Sequence, residues 1–295
     1  MDYTEIAVHS PPLLTESLAW HLQDLGGQGI VISEIPAEGP VPAELAVKLY
    51  RPGTPETLAD WRAELEARLS GLAPHFPGAT WRVEVRLVPS EDWEHSWKRH
   101  WHTLEVGDRL VVKPSWETCD TPGKLIIDLD PAQAFGTGTH ATTQLCMRGL
   151  EAVLADLDAP AVLDVGTGSG ILAIAALLLG ARQVVACDID PVAVQATREN
   201  AERNQVADRL EVLVGDVTVL KGQAEVVVAN ILAEVIAPIA SDLYARTRPG
   251  GTLLASGIIR ARESLVQEAL LEAGFALADS QYQGEWVLVT ATRPS

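Results

Sequence analysis

Glycines at single-residue spacing are the most informative chemical feature of the sequence. Gly166, Gly168 and Gly170 follow an apolar run at 161–165 and precede another at 171–179. This pattern predicts a strand, a tight turn and a helix that together hold a nucleotide-like ligand. The spacing is neither the G-x-G-x-x-G of dinucleotide sites nor a phosphate-binding G-x-x-x-x-G-K-[ST] loop. It fits S-adenosyl-L-methionine, whose methionine carboxylate and amine would approach Gly166 and Gly168. The alternative is a turn that only lets the helix pack on the strand.

Carboxylates lie next to the glycine turn and at the predicted strand ends, where they could bind a ligand of this kind. In an open parallel sheet the ligand binds beyond the carboxyl ends of the strands. Asp164, two residues before the first glycine, can accept from the ligand or from loop N–H groups. Asp188 ends an apolar strand, where a carboxylate accepts both ribose hydroxyls, whereas Asp190-Pro191 resembles a helix cap. Asp216 follows a further apolar strand and is placed to meet the adenine amine.

Asn230 is the candidate catalytic residue, because it ends the apolar strand 226–229. Its amide oxygen can accept from an amine nucleophile, and so can the backbone carbonyl of Ile231. A lysine amine (pKa about 10.4) must lose a proton before it attacks a sulfonium, whereas an N-terminal amine (about 7.7–8) is partly free at neutral pH. Since this half of the chain offers no evident general base, positioning of the free amine is the predicted source of catalysis. The alternative for Asn230 is a turn former.

The elements that must position these residues alternate along the chain from residue 161. We predict strands at 161–165, 183–188, 210–214, 224–230 and 251–256, and helices at 169–179, 191–204, 233–247 and 261–273. This alternation predicts an α/β fold with a doubly wound parallel sheet covered on both faces. Terminal strands at 275–281 and 285–291 would add an antiparallel edge, which is typical of the class I methyltransferase variant of the Rossmann-like fold.

The first ninety residues have a different pattern. We predict strands at 3–9, 29–35, 45–50 and 81–87, with helices at 11–25 and 54–71. The order β-α-β-β-α-β indicates a small ferredoxin-like α+β domain over residues 1–90. It holds no cluster of catalytic residue types, so we predict that it recognises the substrate.

Residues 91–103 are predicted to form a linker helix, because Trp93, Trp97 and Trp101 recur every four residues and share one helix face. The histidines of this segment lack the spacing of a metal site, and we predict no metal. The remaining residues, 104–295, form the predicted methyltransferase domain.

A donor-rich loop precedes the glycine turn. Strands are predicted at 104–113 and 124–129, followed by a loop at 130–143 that contains Phe135 and then a helix at 142–157. Such a loop can close over a ligand, or it can be a polar surface turn.

Bulk properties limit the partners. The net charge of −18 argues against direct nucleic-acid binding and is compatible with a basic protein partner or with a role in solubility alone. No apolar run is long enough to span a membrane, no signal peptide is visible, and the three cysteines are not paired by spacing. We therefore predict a cytoplasmic monomer.

These motifs resemble the PrmA family, the methyltransferases of large-subunit ribosomal protein eleven. The resemblance rests on Asp92-Trp93, Trp97-Lys98, Pro114 to Glu117, Ala134 to His140, Thr142-Thr143, Asp188 to Pro191, Ala229 to Ala233, Pro249 to Gly251 and Ser256-Gly257. It covers the chain from about residue 90 to the end. The sequence departs from the family at Thr167, where cysteine is usual.

The resemblance implies methyl transfer from S-adenosylmethionine to lysine side chains or to the N-terminal amine of that ribosomal protein. It also implies that the small N-terminal domain binds the ribosomal protein. It places cofactor contacts at Thr143, Gly166, Asp188 and Asn230. The predicted cofactor-binding residues are therefore Phe135, Thr143, Asp164, Gly166, Gly168, Asp188, Asp216 and Asn230, and the predicted catalytic residues are Asn230 and Ile231. Alternatives are methylation of a glutamine amide or a small molecule, and a non-catalytic binding module.

Overall fold

The computed structural model describes residues 3–11, 14, 18, 22, 30–32, 44–52, 58–72, 80–88, 102–129 and 138–295. The chain divides into two units, Met1–Trp101 and His102–Ser295. Residues 91–101 of the predicted linker helix lie outside the described residues, and the predicted domain boundaries stay predictions.

An antiparallel sheet forms the first unit. Its strands are β1 (Tyr3–Ser10), β2 (Ile30–Ile32), β3 (Leu45–Pro52) and β4 (Arg82–Val88), and a helix, α1 (Leu58–Leu72), precedes β4. The strand order is β2-β3-β1-β4. This is the order that a split βαβ pattern produces. The ferredoxin-like assignment itself stays a prediction, since connecting segments lie outside the described residues.

Alternation of side chains gives this sheet one apolar face. Ile6 and Val8 of β1 belong to the same buried cluster as Leu65 and Leu69 of α1. Leu14, Leu18 and Leu22, in the region predicted as the first helix, also belong to the cluster. Burial of each such side chain contributes about 1.5–3 kcal/mol, so this cluster gives the first unit a core of its own.

The second unit begins with a three-stranded sheet. Its strands are β5 (Leu104–Val106), β6 (Leu110–Pro114) and β7 (Leu125–Leu129), and β6 lies between the others. The prediction of one strand over 104–113 was wrong, because Gly107 adopts a φ of +63° and turns the chain into a hairpin that pairs Val106 with Leu110. A turn glycine is the usual signal for such a reversal.

A seven-stranded sheet dominates the second unit. Its strands are β8 (Ala161–Val165), β9 (Gln183–Asp188), β10 (Leu210–Val214), β11 (Ala224–Asn230), β12 (Thr247–Ile259), β13 (Ala276–Gln283) and β14 (Trp286–Thr292). The order is β10-β9-β8-β11-β12-β14-β13, with neighbours parallel from β10 to β12 and β14 antiparallel to both of its neighbours. The predicted doubly wound sheet with an antiparallel edge is confirmed.

Helices cover both faces of this sheet. They are α2 (Ala141–Leu154), α3 (Ile171–Leu178), α4 (Pro191–Arg203), α5 (Ala233–Ile236), α6 (Ala240–Arg246) and α7 (Glu263–Ala273). The prediction of one helix over 233–247 was wrong. Pro238 separates α5 from α6, because proline lacks the N–H that a continuous helix needs there. Among the described residues, no helix is long and apolar enough to cross a membrane.

Candidate functional site

The glycine turn leaves β8 in a backbone conformation that favours glycine. Gly166, Gly168 and Gly170 have φ values of +75°, +57° and +83°. The N–H of Gly166 donates to the carbonyl oxygen of Cys187 at 2.9 Å, which ties the turn to the end of β9. A Cβ on Gly166 would lie 2.4 Å from the Cγ2 of Ile231. The turn therefore presents bare backbone beside the end of β11.

Asp188 lies against this turn. Its Oδ2 accepts from the N–H of Gly168 at 2.9 Å, and its Oδ1 accepts from the N–H of Asp190 at 3.0 Å. Each carboxylate oxygen keeps a further lone pair for a ligand hydroxyl. Asp190 caps α4 by accepting from the N–H of Val192 at 2.8 Å, and Pro191 stands in the first turn, which confirms the predicted cap. The two acids thus have different hydrogen-bond partners, and the ribose contact of Asp188 stays a prediction.

Asp164 is fully buried beneath the turn. The hydroxyl of Thr167 donates to its Oδ2 at 2.7 Å, whereas Oδ1 has no hydrogen-bond partner among the described residues. Burial raises the pKa of Asp164 to about 7, helped by the charge of Asp188 and opposed by the Thr167 hydroxyl and the N–H of Ala173. The side chain supports the turn from inside the protein, and direct contact with the cofactor stays a prediction.

Asn230 and Ile231 are held at the end of β11 by the neighbouring strand. The N–H of Ile231 donates to the carbonyl oxygen of Ser256 at 3.1 Å. Gly257, at a φ of +83°, lies so close that a Cβ there would come within 2.3 Å of the Ile231 carbonyl oxygen. The side-chain amide of Asn230 donates to the Oγ1 of Thr143 at 3.4 Å. These contacts place both predicted catalytic residues beside predicted cofactor contacts.

The first turn of α2 supplies Thr143, which is buried. His140 caps this helix, and its Nδ1 accepts from the N–H of Thr142 at 3.3 Å. The His140 ring also packs edge-on against Trp286, with centroids 4.8 Å apart. The helix start is therefore fixed from two sides. Phe135 and most of the predicted lid lie outside the described residues.

Asp216 lies at the carboxyl end of β10, as predicted, but it is exposed and engaged locally. Its Oδ1 accepts from the N–H of Thr218 at 2.9 Å and from the Thr218 hydroxyl at 2.5 Å. These hydrogen bonds lower its pKa. The preceding Gly215 donates its N–H to the carbonyl oxygen of Asp188 at 2.8 Å, so the two strand ends meet. Contact of Asp216 with adenine stays a prediction.

Two polar residues of α4 escaped sequence reasoning. The hydroxyl of Thr197 donates to the carbonyl oxygen of Gly168 at 2.9 Å, and the amide of Asn200 donates to the carbonyl oxygen of Ser169 at 2.9 Å. Both are buried. Their signal in the sequence is polar side chains on the face of the helix that also carries buried Val194 and Ala201. Within the described ranges, no cluster of His, Cys, Asp or Glu could hold a metal ion.

The family model for "Ribosomal protein L11 methyltransferase (PrmA)" matches residues 2–294. The chain belongs to this family. It is 42% identical to the ribosomal protein L11 methyltransferase of Pelotomaculum thermopropionicum, with 99% of each chain covered. Its identity to the enzyme of that name from Symbiobacterium thermophilum is 41%, with both chains fully covered.

A solved structure of a family member has the same fold over about two thirds of this chain. The ribosomal protein L11 methylase of Lactobacillus delbrueckii subsp. bulgaricus is 33% identical and matches with a TM-score of 0.61, covering 66% of this chain and 99% of that one. The predicted PrmA resemblance and class I methyltransferase fold are confirmed. The methyl donor of the PrmA family is S-adenosylmethionine.

Proposed function

We propose that this protein transfers methyl groups from S-adenosylmethionine to amino groups of ribosomal protein L11, at lysine side chains, the N-terminal amine or both. The observation that carries the proposal is the meeting of Asn230, Ile231 and the glycine turn at one edge of the sheet. The family match over nearly the whole chain supports the choice of substrate.

The residues present fit S-adenosylmethionine. The three glycines of the turn lie in the left-handed region, and a Cβ on Gly166 would fill the space beside Ile231. The absence of a side chain there lets a ligand approach the backbone of the turn closely. Asp188 offers carboxylate lone pairs to a ribose, and the strongly exposed side chain of Ile189 next to it offers apolar surface to a flat base. No lysine follows the glycines to meet a phosphate. When bound, the cofactor supplies an electrophilic methyl group on a sulfonium.

The chain itself orients the nucleophile. Since the Asn230 amide donates to Thr143, its amide oxygen is left to accept from an N–H of the incoming amine. The Ile231 carbonyl, fixed by Gly257 and Ser256, can accept from a second N–H of the same amine. Two acceptors of fixed geometry aim the nitrogen lone pair at the methyl carbon, which is catalysis by orientation. The amine must lose its proton to water first.

The other parts of the proposal concern how the substrate is bound, the oligomeric state and the cellular location. The N-terminal unit, with its own core and sheet, is proposed to bind the ribosomal protein. The net charge of −18 favours a basic protein over direct contact with nucleic acid. We propose a monomer that acts in the cytoplasm, where unassembled ribosomal protein is available.

The test uses S-adenosylmethionine with a labelled methyl group and a lysate of cells lacking the enzyme. We expect label in one ribosomal protein, L11, with an initial rate of labelling about a hundredfold lower for the Asn230→Ala variant. Peptide mapping then assigns the label to lysine or to the N-terminal amine. Label in RNA, or in no ribosomal protein, would overturn the proposal, and label on a glutamine amide would replace the amine by the alternative target.

A further inference from the structure

Helix α4 carries a buried polar face toward the glycine turn. Thr197 and Asn200 are three residues apart, which places them on one side of the helix, and Asn204 follows as its C-cap. Thr197 is 0% exposed and Asn200 is 2% exposed. Burial of polar side chains is unfavourable unless their hydrogen bonds are satisfied. The hydrogen-bond partners of these side chains therefore indicate the function of this face.

Thr197 and Asn200 bind consecutive carbonyl groups of the turn. Thr197 donates to the carbonyl oxygen of Gly168, and Asn200 donates to that of Ser169, each at 2.9 Å. A trans peptide is planar, with its C=O and N–H pointing in opposite directions. Fixing these two carbonyls toward α4 therefore also directs the N–H of Ser169 away from α4, while the N–H of Gly170 donates within the turn to the carbonyl oxygen of Thr167 at 2.9 Å.

The same helix also limits the turn sterically. A Cβ on Gly170 would lie 2.8 Å from the Cγ2 of Thr197 and 3.2 Å from its Cα. On the other side of the turn, the N–H of Gly168 is held by Asp188, two residues before the cap of α4. The turn is thus held between a strand end and the helix that follows it.

Asn204 anchors the helix that holds the turn. Its side chain donates to the carbonyl oxygen of Asp128 at 2.7 Å and accepts from the N–H of Asp128 at 2.8 Å. It donates as well to the carbonyl oxygen of Asn200 at 2.8 Å. The two hydrogen bonds with Asp128 tie the C-terminal end of α4 to β7, so α4 cannot shift without breaking them.

We propose that Thr197 and Asn200 are positioning residues for the cofactor, which hold the glycine turn in its binding conformation before S-adenosylmethionine arrives. The inference rests on the proposed function, since it assigns the turn to this cofactor. A preformed turn avoids the ordering of loop backbone on binding, and the avoided cost appears as affinity.

Thr197 allows a test that separates the hydrogen bond from the packing. Thr197→Val keeps a methyl against Gly170 but cannot donate to Gly168, whereas Thr197→Ser keeps the hydroxyl and loses the methyl. We expect Thr197→Val to weaken S-adenosylmethionine binding about tenfold and Thr197→Ser to stay within about threefold of the wild type. Calorimetry without protein substrate measures the Kd, and thermal unfolding of the same samples reports folding.

Asn200→Ala tests the second hydrogen bond, and Gln195→Ala is the matched control. Gln195 lies on the exposed side of α4 and bonds only Glu199 among the contacts described. We expect Asn200→Ala to raise the KM for S-adenosylmethionine about tenfold with the KM for ribosomal protein L11 unchanged, and Gln195→Ala to change neither. If Thr197→Val does not fold, the KM of Asn200→Ala for S-adenosylmethionine tests the inference by itself.

Two results would overturn the inference: wild-type affinity in the variant that lacks the hydrogen bond, or equal weakening in Thr197→Ser and Thr197→Val, which would assign the effect to packing. These results concern only the variants. Failure of the proposed function would instead be seen in the wild type, as no methylation of ribosomal protein L11.

Discussion

Asp188 connects two parts of the candidate site, since its oxygens accept from the N–H groups of Gly168 and Asp190. Asp188→Ala removes the proposed ribose acceptor and releases the turn. We expect calorimetry to show at least a hundredfold weaker binding of S-adenosylmethionine, because two hydrogen bonds to a charged group are lost. Asp190→Ser, which keeps a cap on α4, is the control and should bind within about threefold. Unchanged affinity in Asp188→Ala would contradict the ribose assignment.

Asn230 is expected to act on turnover. Asn230→Ala removes the amide oxygen that accepts from the amine, and the fold should persist because the side chain has only one long hydrogen bond, to Thr143, among the contacts described. We expect kcat to fall about a hundredfold, the order of loss seen when one positioned hydrogen-bonding group is removed from an active site. Steady-state kinetics with matched thermal unfolding measure this. Near-normal kcat in a folded variant would remove the positioning role.

Asp164 makes stability depend on pH in an unusual direction. Its pKa in the folded protein is about 7, above the ordinary value of 3.8, so the folded state binds the proton more tightly than the unfolded state. The stabilisation is complete below about pH 4 and is lost as pH rises through about 7. Between about pH 5 and 8 the free energy of unfolding should fall by about 2–3 kcal/mol more in the wild type than in Asp164→Asn.

Denaturant titrations of both proteins at the two pH values check this, and the comparison cancels the other titrating groups. Asparagine keeps an oxygen that can accept from Thr167 and has no charge to bury. An equal pH dependence in the two proteins would show that the Asp164 carboxyl is not desolvated in the folded state.

At the scale of elements, the pairing of β11 with β12 fixes the positions of the two candidate catalytic residues. This register places Asn230 opposite Ser256 and brings Gly257 against the backbone of Ile231. Gly257→Ala adds a Cβ 2.3 Å from the Ile231 carbonyl oxygen at a φ of +83°. Since that clash is with backbone, we expect a loss of more than about 2 kcal/mol in stability and a large loss of activity.

Gly222→Ala is the matched control for this prediction. Gly222 has a φ of +74°, and a Cβ added there would have no atom within 4 Å among the described residues, so this variant carries only the conformational cost of about 1–2 kcal/mol. Activity per folded molecule should be unchanged. If the two alanine variants lose the same stability and activity, close packing at Ile231 is not what fixes the carbonyl.

The elements of the second unit were largely predictable from sequence. A parallel sheet covered on both faces needs near-continuous apolar strands, so β8 to β11 stand out against the helices between them. Ligands bind at the carboxyl ends of such strands, so Asp188 and Asn230 could be chosen as candidate site residues from their positions at strand ends. Periodicity also shows that Thr197 and Asn200 are on a buried face, but it cannot show that they bind the turn, since that contact depends on tertiary packing.

The exceptions have local causes. Gly107 turns the chain within an apolar run, and Pro238 interrupts a segment whose apolar spacing continues past it. The contact of Gly257 with Ile231 depends on the register of two strands, which pattern does not specify. Each is a case in which one residue or one pairing overrides the average pattern of its neighbours.

At the scale of the whole molecule, the second unit holds every described residue of the candidate site, and the first unit has a separate core. We therefore expect the substrate to be recognised by surfaces outside the glycine turn. The family match extends over residues 2–294 and so includes both units, which supports a shared substrate across the family.

The central claim is methylation of ribosomal protein L11 at amines by the site around Asn230. The most direct measurement is the mass of purified, unmethylated ribosomal protein L11 after incubation with the enzyme and S-adenosylmethionine, followed by fragmentation to locate the added groups. We predict whole-methyl mass increments on lysine side chains or the N-terminal amine, which form about a hundredfold more slowly with Asn230→Ala. An unchanged mass with folded wild-type enzyme that binds S-adenosylmethionine would contradict the claim.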